Sequence, residues 1–242
     1  MRTTRAAFLL LFVTVSFLWG AGSERVAAQA GRNATQDSLN RAAEAILALK
    51  SARFSLKREG TPAFLDERNG ITFTVADCRY AAPDRVSCDV KVSLKNGTIL
   101  QLTRVWVPEG TFQSNPLTRQ FGKTPPDTSF NGVALFAKTG IPDILRTSVQ
   151  KAQVVGREKI QNRDTLHLKG EVTGEKLNPL MGSTLKTDQS YTVDLWMDER
   201  SANTVQIHVT EPANDGWLIE LSSTDEPIDI PTPQLPPAPG RQ

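Results

Sequence analysis

Apolar and polar residues alternate along most of the chain from about residue 54 to residue 223. Phe54 and Leu56, for example, are separated by polar positions, and the same two-residue period recurs in Ile71-Thr72-Phe73 and in Val90-Lys91-Val92. Such alternation predicts β-strands with one apolar face. The sequence "KNGT" at 95–98 predicts a tight hairpin turn, because Asn-Gly accepts positive φ. About nine to eleven strands are expected, mostly joined as an antiparallel meander.

A helical period replaces this alternation in three places. Apolar residues recur at helical spacing over 35–51, where Thr35 or Asp37 can cap the helix. The stretches "NGVALFAKTG" and "IPDILRTSVQ" predict two shorter helices, the second with Pro142 near its start.

Three other segments lack a clear period. Residues 108–130 predict a long loop, and residues 176–188 predict a loop or a single helical turn. The proline-rich residues 231–242 predict an extended or disordered tail.

Strands with one apolar face must pack that face on another layer. The few helices favour an α+β fold, in which a strongly curved antiparallel half-barrel is closed by helices over a hydrophobic cavity. We expect one domain over residues 31–230. Strand phase and the two short helices give the candidate cavity-lining residues: Phe54, Leu56, Phe73, Val75, Val90, Val92, Leu94, Leu100, Leu102, Val133, Leu135, Phe136, Ile144, Leu145, Val193, Leu195, Val205, Ile207 and Ile219.

The N-terminus has the pattern of an export signal. Arg2 and Arg5 precede an uncharged run over residues 6–23, and the small residues Ala28 and Ala30 suit a cleavage site. Cleavage after Ala30 is preferred, and retention of residues 1–30 as a membrane anchor is the alternative. In both cases we expect the chain to be exported to the cell envelope, a periplasm-like space or the exterior.

Charge and cysteine content narrow the possible partners. The chain has 28 Lys and Arg against 26 Asp and Glu, and loss of residues 1–30 brings the net charge to zero. A neutral chain lacks the overall basic surface that nucleic acid or anionic lipid headgroups require. Cys78 and Cys88 flank a turn and are the only cysteines, so export predicts a disulfide between them. Closing this short loop would stabilise the folded state by about 3 kcal/mol.

No catalytic constellation is visible in the sequence. The only histidines, His167 and His208, fall on the polar phase of alternating strands, and Asp194 is expected on a solvated face. Nucleophile-elbow, zinc-protease, P-loop and dinucleotide motifs are absent from the sequence. We therefore expect neither enzymatic activity, nor a cofactor, nor a metal.

Two features have both a structural and a functional interpretation. Trp106, Trp196 and Trp217 suit a packed core, and they also suit the rim of a cavity, where an amphipathic ring meets a lipid headgroup. The apolar residues of 133–145 can cap a core or form a lid that opens for an acyl chain.

Several short segments of the sequence resemble those of the LppX–LprG family of bacterial cell-envelope lipoproteins. They are "ILALKSARFSLKREG" after the first helix, "YTVDLWMDE" in a late strand and the closing "WLIELSSTDEPIDIPTP". The resemblance covers about residues 36–233. It implies a fold similar to the carriers LolA and LolB, and a non-catalytic monomer that binds an acylated lipid or glycolipid and contacts a membrane surface transiently.

The chain departs from the family pattern at the N-terminus. "LLLFVTVSFLWGAGS" at 9–23 resembles a lipoprotein signal, but Ala21 stands where the acylated cysteine is expected. The lipid anchor is therefore not carried over to this chain. The alternative function is a non-catalytic β-rich scaffold or interaction module of the envelope with a filled core.

Overall fold

The computed structural model describes residues 20–124, 131–181, 185–211 and 215–237. The helices are α1 Gly20–Ala48, α2 Gly132–Phe136, α3 Ile141–Thr147 and α4 Gly174–Met181. The strands are β1 Ser51–Glu59, β2 Ala63–Asp66, β3 Ile71–Ala81, β4 Arg85–Ser93, β5 Ile99–Val107, β6 Gly110–Ser114, β7 Phe121–Thr124, β8 Gln150–Ile160, β9 Arg163–Thr173, β10 Ser190–Asp198, β11 Thr204–Thr210 and β12 Gly216–Thr224.

All twelve strands of the described chain belong to one antiparallel sheet. Its order is β7-β6-β5-β4-β3-β1-β12-β11-β10-β9-β8, and β2 pairs with β3 outside this path. Strand β1 lies between β3 and β12 and so joins two meanders, one from each half of the chain. The path ends at β7 and β8, so the sheet is not closed. The predicted half-barrel is confirmed.

The helices cover one face of the sheet, which we call the inner wall. Helix α1 contacts α3, β8 and β11, while α2 contacts β4 and α4 contacts β9. On α1, Leu39, Ala42, Ala43 and Ile46 are buried at helical spacing. Successive side chains of a strand point to opposite faces of the sheet. The residues that point to the inner wall are buried in one cluster with these helix residues.

Local signals explain where the short elements begin and turn. The Asn131 side chain accepts a hydrogen bond from the Val133 amide at 3.1 Å and caps α2. Pro142 lies in the first turn of α3, as expected. At the predicted hairpin, Gly97 has φ of 81°, and the Leu94 amide donates to the Thr98 carbonyl at 2.9 Å.

Several expectations for the segments were wrong. Residues 108–130 are not one long loop, because β6 and β7 lie within them. Both strands are too short to show a period of two in the sequence, and residues 125–130 lie outside the described ranges. Helix α1 is not capped at Thr35 or Asp37 but continues back to Gly20, and the Thr35 hydroxyl donates to the Gly31 carbonyl within it.

The chain packs against the sheet just before the proline-rich residues 231–242. Ile230 is buried with Val105, Val107 and Phe112 in a second, smaller cluster, and Ile228 packs against it. The Arg85 guanidinium donates to the Ile230 carbonyl at 3.0 Å and fixes the segment. Residues 231–237 form neither helix nor strand.

Candidate functional site

The candidate site is the inner wall, where the structure gathers most of the residues predicted to line a cavity. Thirteen of them lie buried in one apolar cluster with the helices: Phe54, Leu56, Phe73, Val90, Val92, Leu135, Phe136, Ile144, Leu145, Val193, Leu195, Ile207 and Ile219. Leu100, Leu102 and Val133 are half-buried and pack against this cluster. Val205 is buried, and Leu94 is half-buried.

Val75 is the exception and corrects the strand-phase prediction. The pairing of β3 with β4 shifts register between Phe73 and Val75, so Val75 lies opposite Lys91 and, on the other side, opposite Lys57. Both lysines lie on the outer face of the sheet. An extra residue in a strand reverses the side-chain phase beyond it, and strict alternation cannot reveal that.

Three rings pack together at one end of the inner wall, which we call the aromatic end: Phe54, Tyr80 and Phe136. The Phe136 ring of α2 stacks on Tyr80 with centroids 4.1 Å apart and meets Phe54 edge-on at 5.3 Å. The Tyr80 hydroxyl donates to the Pro83 carbonyl at 3.4 Å. Burial raises the pKa of the Tyr80 phenol, and the nearby Asp84 carboxylate raises it further.

The predicted disulfide is confirmed and lies at the same end. Cys78 and Cys88 are directly opposite on β3 and β4, with an S–S distance of 2.07 Å, and both are buried. The bond joins two paired strands beneath the ring stack. It therefore fixes a part of the sheet that helix α2 also contacts.

The other end of the inner wall, which we call the Trp217 end, combines aromatic and charged groups. Phe73 and Trp217 have ring centroids 5.4 Å apart, and the Arg58 guanidinium lies 5.2 Å from the centre of the Trp217 ring. This separation suits a cation–π contact. Arg58 follows Phe54 and Leu56 at a spacing of two, so strand phase could have placed it on the inner face, but the prediction selected only apolar residues from that phase.

Two carboxylates balance Arg58. Its guanidinium pairs with Glu211 and lies 3.6 Å from Asp215 Oδ2. The Thr61 amide donates to Asp215 Oδ1 at 2.9 Å, and this hydrogen bond, together with the Arg58 charge, holds the pKa of Asp215 below its ordinary value of 3.8. The same contacts tie the β1–β2 turn to the start of β12.

The outer face carries a histidine enclosed by carboxylates. His167 Nε2 lies 2.7 Å from Asp194 Oδ1, its Nδ1 lies 3.2 Å from Glu158 Oε1, and Trp196 stacks on the ring at 4.3 Å. Asp194 is buried, so its expected solvated position was wrong; its neighbours His167 and Lys169 replace water as partners. Both ring nitrogens of His167 are engaged, and neither is presented to a substrate.

The outer face also holds a cleft of about 570 Å³. Its charged lining consists of Arg53 and Arg79 with Asp77, Asp89 and Glu220. Mixed charges of this kind suit a polar guest and oppose an acyl chain. Within the described ranges, His, Cys, Asp and Glu side chains form no group of three that could hold a metal ion.

The sequence matches the LppX_LprAFG lipoprotein family over residues 34–230, and the chain belongs to this family. Its fold is similar to that of LprF from Mycobacterium bovis, with a TM-score of 0.67 and 17% identity over 83% of this chain and 97% of that one. The lipoprotein LppX from Mycobacterium tuberculosis gives a TM-score of 0.59 and 13% identity over 82% of this chain and 99% of that one.

Comparison with the curated proteins gives no match. Among the helices of the described residues, none combines the length and the apolar character needed to cross a bilayer.

Proposed function

We propose that this protein is an exported, non-catalytic carrier that holds the acyl chains of a lipid or glycolipid against the inner wall. The observation that carries the proposal is the one-sided sheet: an unclosed sheet of twelve strands has a continuous apolar face beneath four helices. Membership of a lipoprotein family supports it. The protein acts as a monomer and needs no cofactor.

The energetics of acyl burial suit a wall of this kind. Each CH₂ group moved from water into an apolar site contributes about 0.8 kcal/mol, so a single long chain gives useful affinity without a charged contact. The lining consists of the inner-wall residues. Among them, Leu100, Leu102 and Val133 are only half-buried, so part of each side chain is free to contact a guest. Val75 is excluded from the lining because it lies on the outer face.

The carrier contacts a membrane through one end of the sheet. Phe64, Thr72, Ser93 and Ile99 form one cross-strand row over β2 to β5, and Phe64 and Ile99 are exposed. Exposed Leu117 lies nearby, because the Arg119 guanidinium of its turn donates to the Gln101 carbonyl at 3.1 Å.

The chain as a whole is close to neutral, but a local excess of one cation favours an anionic phospholipid surface as the partner of this end. Residues 94–99 contribute Lys95 and residues 115–120 contribute Arg119, while residues 64–70 contribute Arg68 together with Asp66 and Glu67. Three cations therefore face two carboxylates at this end. Exposed apolar side chains beside cations suit the interface of an anionic bilayer.

Lipid content of the purified protein tests the carrier. We expect native mass spectrometry to show an added mass that organic extraction identifies as an acyl lipid. Leu102→Asn on the inner wall should lower the bound fraction several-fold, since a polar amide replaces an apolar contact. Val75→Asn is the matched control on the outer face and should leave the bound fraction unchanged.

The second candidate is an envelope scaffold with a filled core, and the stack of Phe136 on Tyr80 favours it because these rings fill the aromatic end with protein atoms. A clean protein mass, together with failure to bind an apolar dye, would refute the carrier and favour the scaffold.

A further inference from the structure

The indole nitrogen of Trp217 is a buried hydrogen-bond donor that lacks an acceptor. Trp217 is 4% exposed, and within the part of the chain that the structure describes its Nε1 atom has no hydrogen-bond partner. A buried donor without an acceptor costs free energy, and native structures rarely leave one unmade. The unmade bond therefore needs an explanation.

The two side chains in contact with the face of the Trp217 ring cannot supply the missing acceptor. Phe73 has no polar side-chain atom, and the Arg58 guanidinium has donors only. Trp196 on the outer face shows the usual situation, since its Nε1 donates to Glu158 Oε1 at 2.5 Å. The two tryptophans thus differ in one respect that bears on binding: only the one on the inner wall has a donor to offer.

Charge decides which kind of acceptor fits. Arg58 is already balanced by Glu211 and Asp215, so the Trp217 end carries no free positive charge from this group. A phosphate or carboxylate guest would add a negative charge beside two carboxylates and would be repelled. A neutral oxygen, such as an ester carbonyl or a hydroxyl, accepts the hydrogen bond without that cost.

We propose that Trp217 Nε1 donates a hydrogen bond to a neutral ester carbonyl or hydroxyl oxygen of the bound lipid, whose chains lie along the inner wall toward the aromatic end. This inference rests on the proposed carrier function. From the Arg58–Trp217 pair to the Phe54–Leu221 pair the sheet advances four residues, or about 13 Å of apolar wall. A guest with a polar oxygen at one end and hydrocarbon behind it matches this arrangement.

Two probes test the inference: dihexadecanoyl glycerol, which has ester and hydroxyl oxygens, and hexadecane, which has none. Both are delivered from cyclodextrin, and their affinities are measured by displacement of an apolar fluorescent dye. We expect Trp217→Phe to weaken binding of the glyceride about tenfold, equivalent to about 1.4 kcal/mol, and to leave hexadecane binding unchanged. Trp196→Phe is the matched control and should alter neither affinity.

The outcomes separate the inference from the carrier function. Equal affinities of wild type and Trp217→Phe for the glyceride, or equal weakening for both probes, would overturn the role of Trp217 and leave the carrier intact. Failure of the wild type to bind either probe would overturn both. Should Trp217→Phe not fold, NMR of the wild type alone tests the inference. The indole N–H resonance of Trp217 should shift on addition of the glyceride and should not shift with hexadecane. The opposite result overturns the inference.

Discussion

The aromatic end and the Trp217 end of the inner wall are built by the same strands but hold their polar atoms differently. At the aromatic end the Tyr80 hydroxyl has a carbonyl partner, and Phe136 makes two ring contacts. At the Trp217 end the indole donor is unpaired within the described chain, and Phe73 makes one ring contact. This difference is why the fold-stabilising ring contacts are assigned to one end and the oxygen of the proposed guest to the other.

Truncation of Phe136 at the aromatic end and of Phe73 at the Trp217 end gives the largest expected effect, a loss of folding stability. Phe136→Ala should lower the free energy of unfolding by about 3–5 kcal/mol, because it removes a buried ring and leaves a cavity. Phe73→Ala, a matched change at an equally buried ring, should cost about 1 kcal/mol less, since it loses one aromatic pair instead of two. Urea denaturation measures both values, and a larger cost for Phe73→Ala would reverse the assignment of the two ends.

The proposed membrane contact gives an intermediate effect and concerns the end of the sheet that carries Phe64 and Ile99. Phe64→Ser should weaken binding to phosphatidylglycerol-containing vesicles about fivefold, because the exposed half of a phenylalanine contributes about 1 kcal/mol on burial. Val155→Ser is the control, since Val155 is 51% exposed, Phe64 is 54% exposed, and Val155 lies on the distant strand β8. Flotation of the vesicles in a density gradient measures the bound fraction, and equal losses for both variants would argue against a specific docking end.

The smallest expected effect concerns the negative charge of Asp215, which pairs with Arg58 at the Trp217 end. The pKa of Asp215 is lowered in the folded protein, so its carboxylate contributes stability above its ordinary pKa of 3.8, and this contribution is lost as the pH falls below that value. Asp215→Asn keeps an oxygen for the Thr61 amide and removes only the charge. We expect the variant to be less stable than wild type at pH 6, with a difference that shrinks below pH 3.8. A difference independent of pH in urea titrations would contradict this assignment.

Alternation, together with the turns between the strands, predicted the antiparallel sheet and most strand residues of the inner wall, because a half-buried sheet imposes a period of two on its sequence. It failed at Val75, where a register shift changes the phase, and at β6 and β7, whose four or five residues are too few to show a period.

The polar members of the site were harder to predict. Arg58 has the inner-wall phase, but a charged residue is expected on a solvated face until the partners Glu211 and Asp215 are seen. The missing acceptor at Trp217 is a property of three-dimensional packing, and no local sequence pattern encodes it.

The position of β1 in the middle of the sheet has a consequence for folding kinetics. Its register joins Leu56 to Ile219, so the centre of the sheet forms between segments more than 160 residues apart. Contacts so distant in sequence slow folding, because the closure of a long loop must precede any gain from pairing. During synthesis the early strand must wait, half-paired, for the last one to emerge, and in that interval its open edge is where a chaperone would be needed.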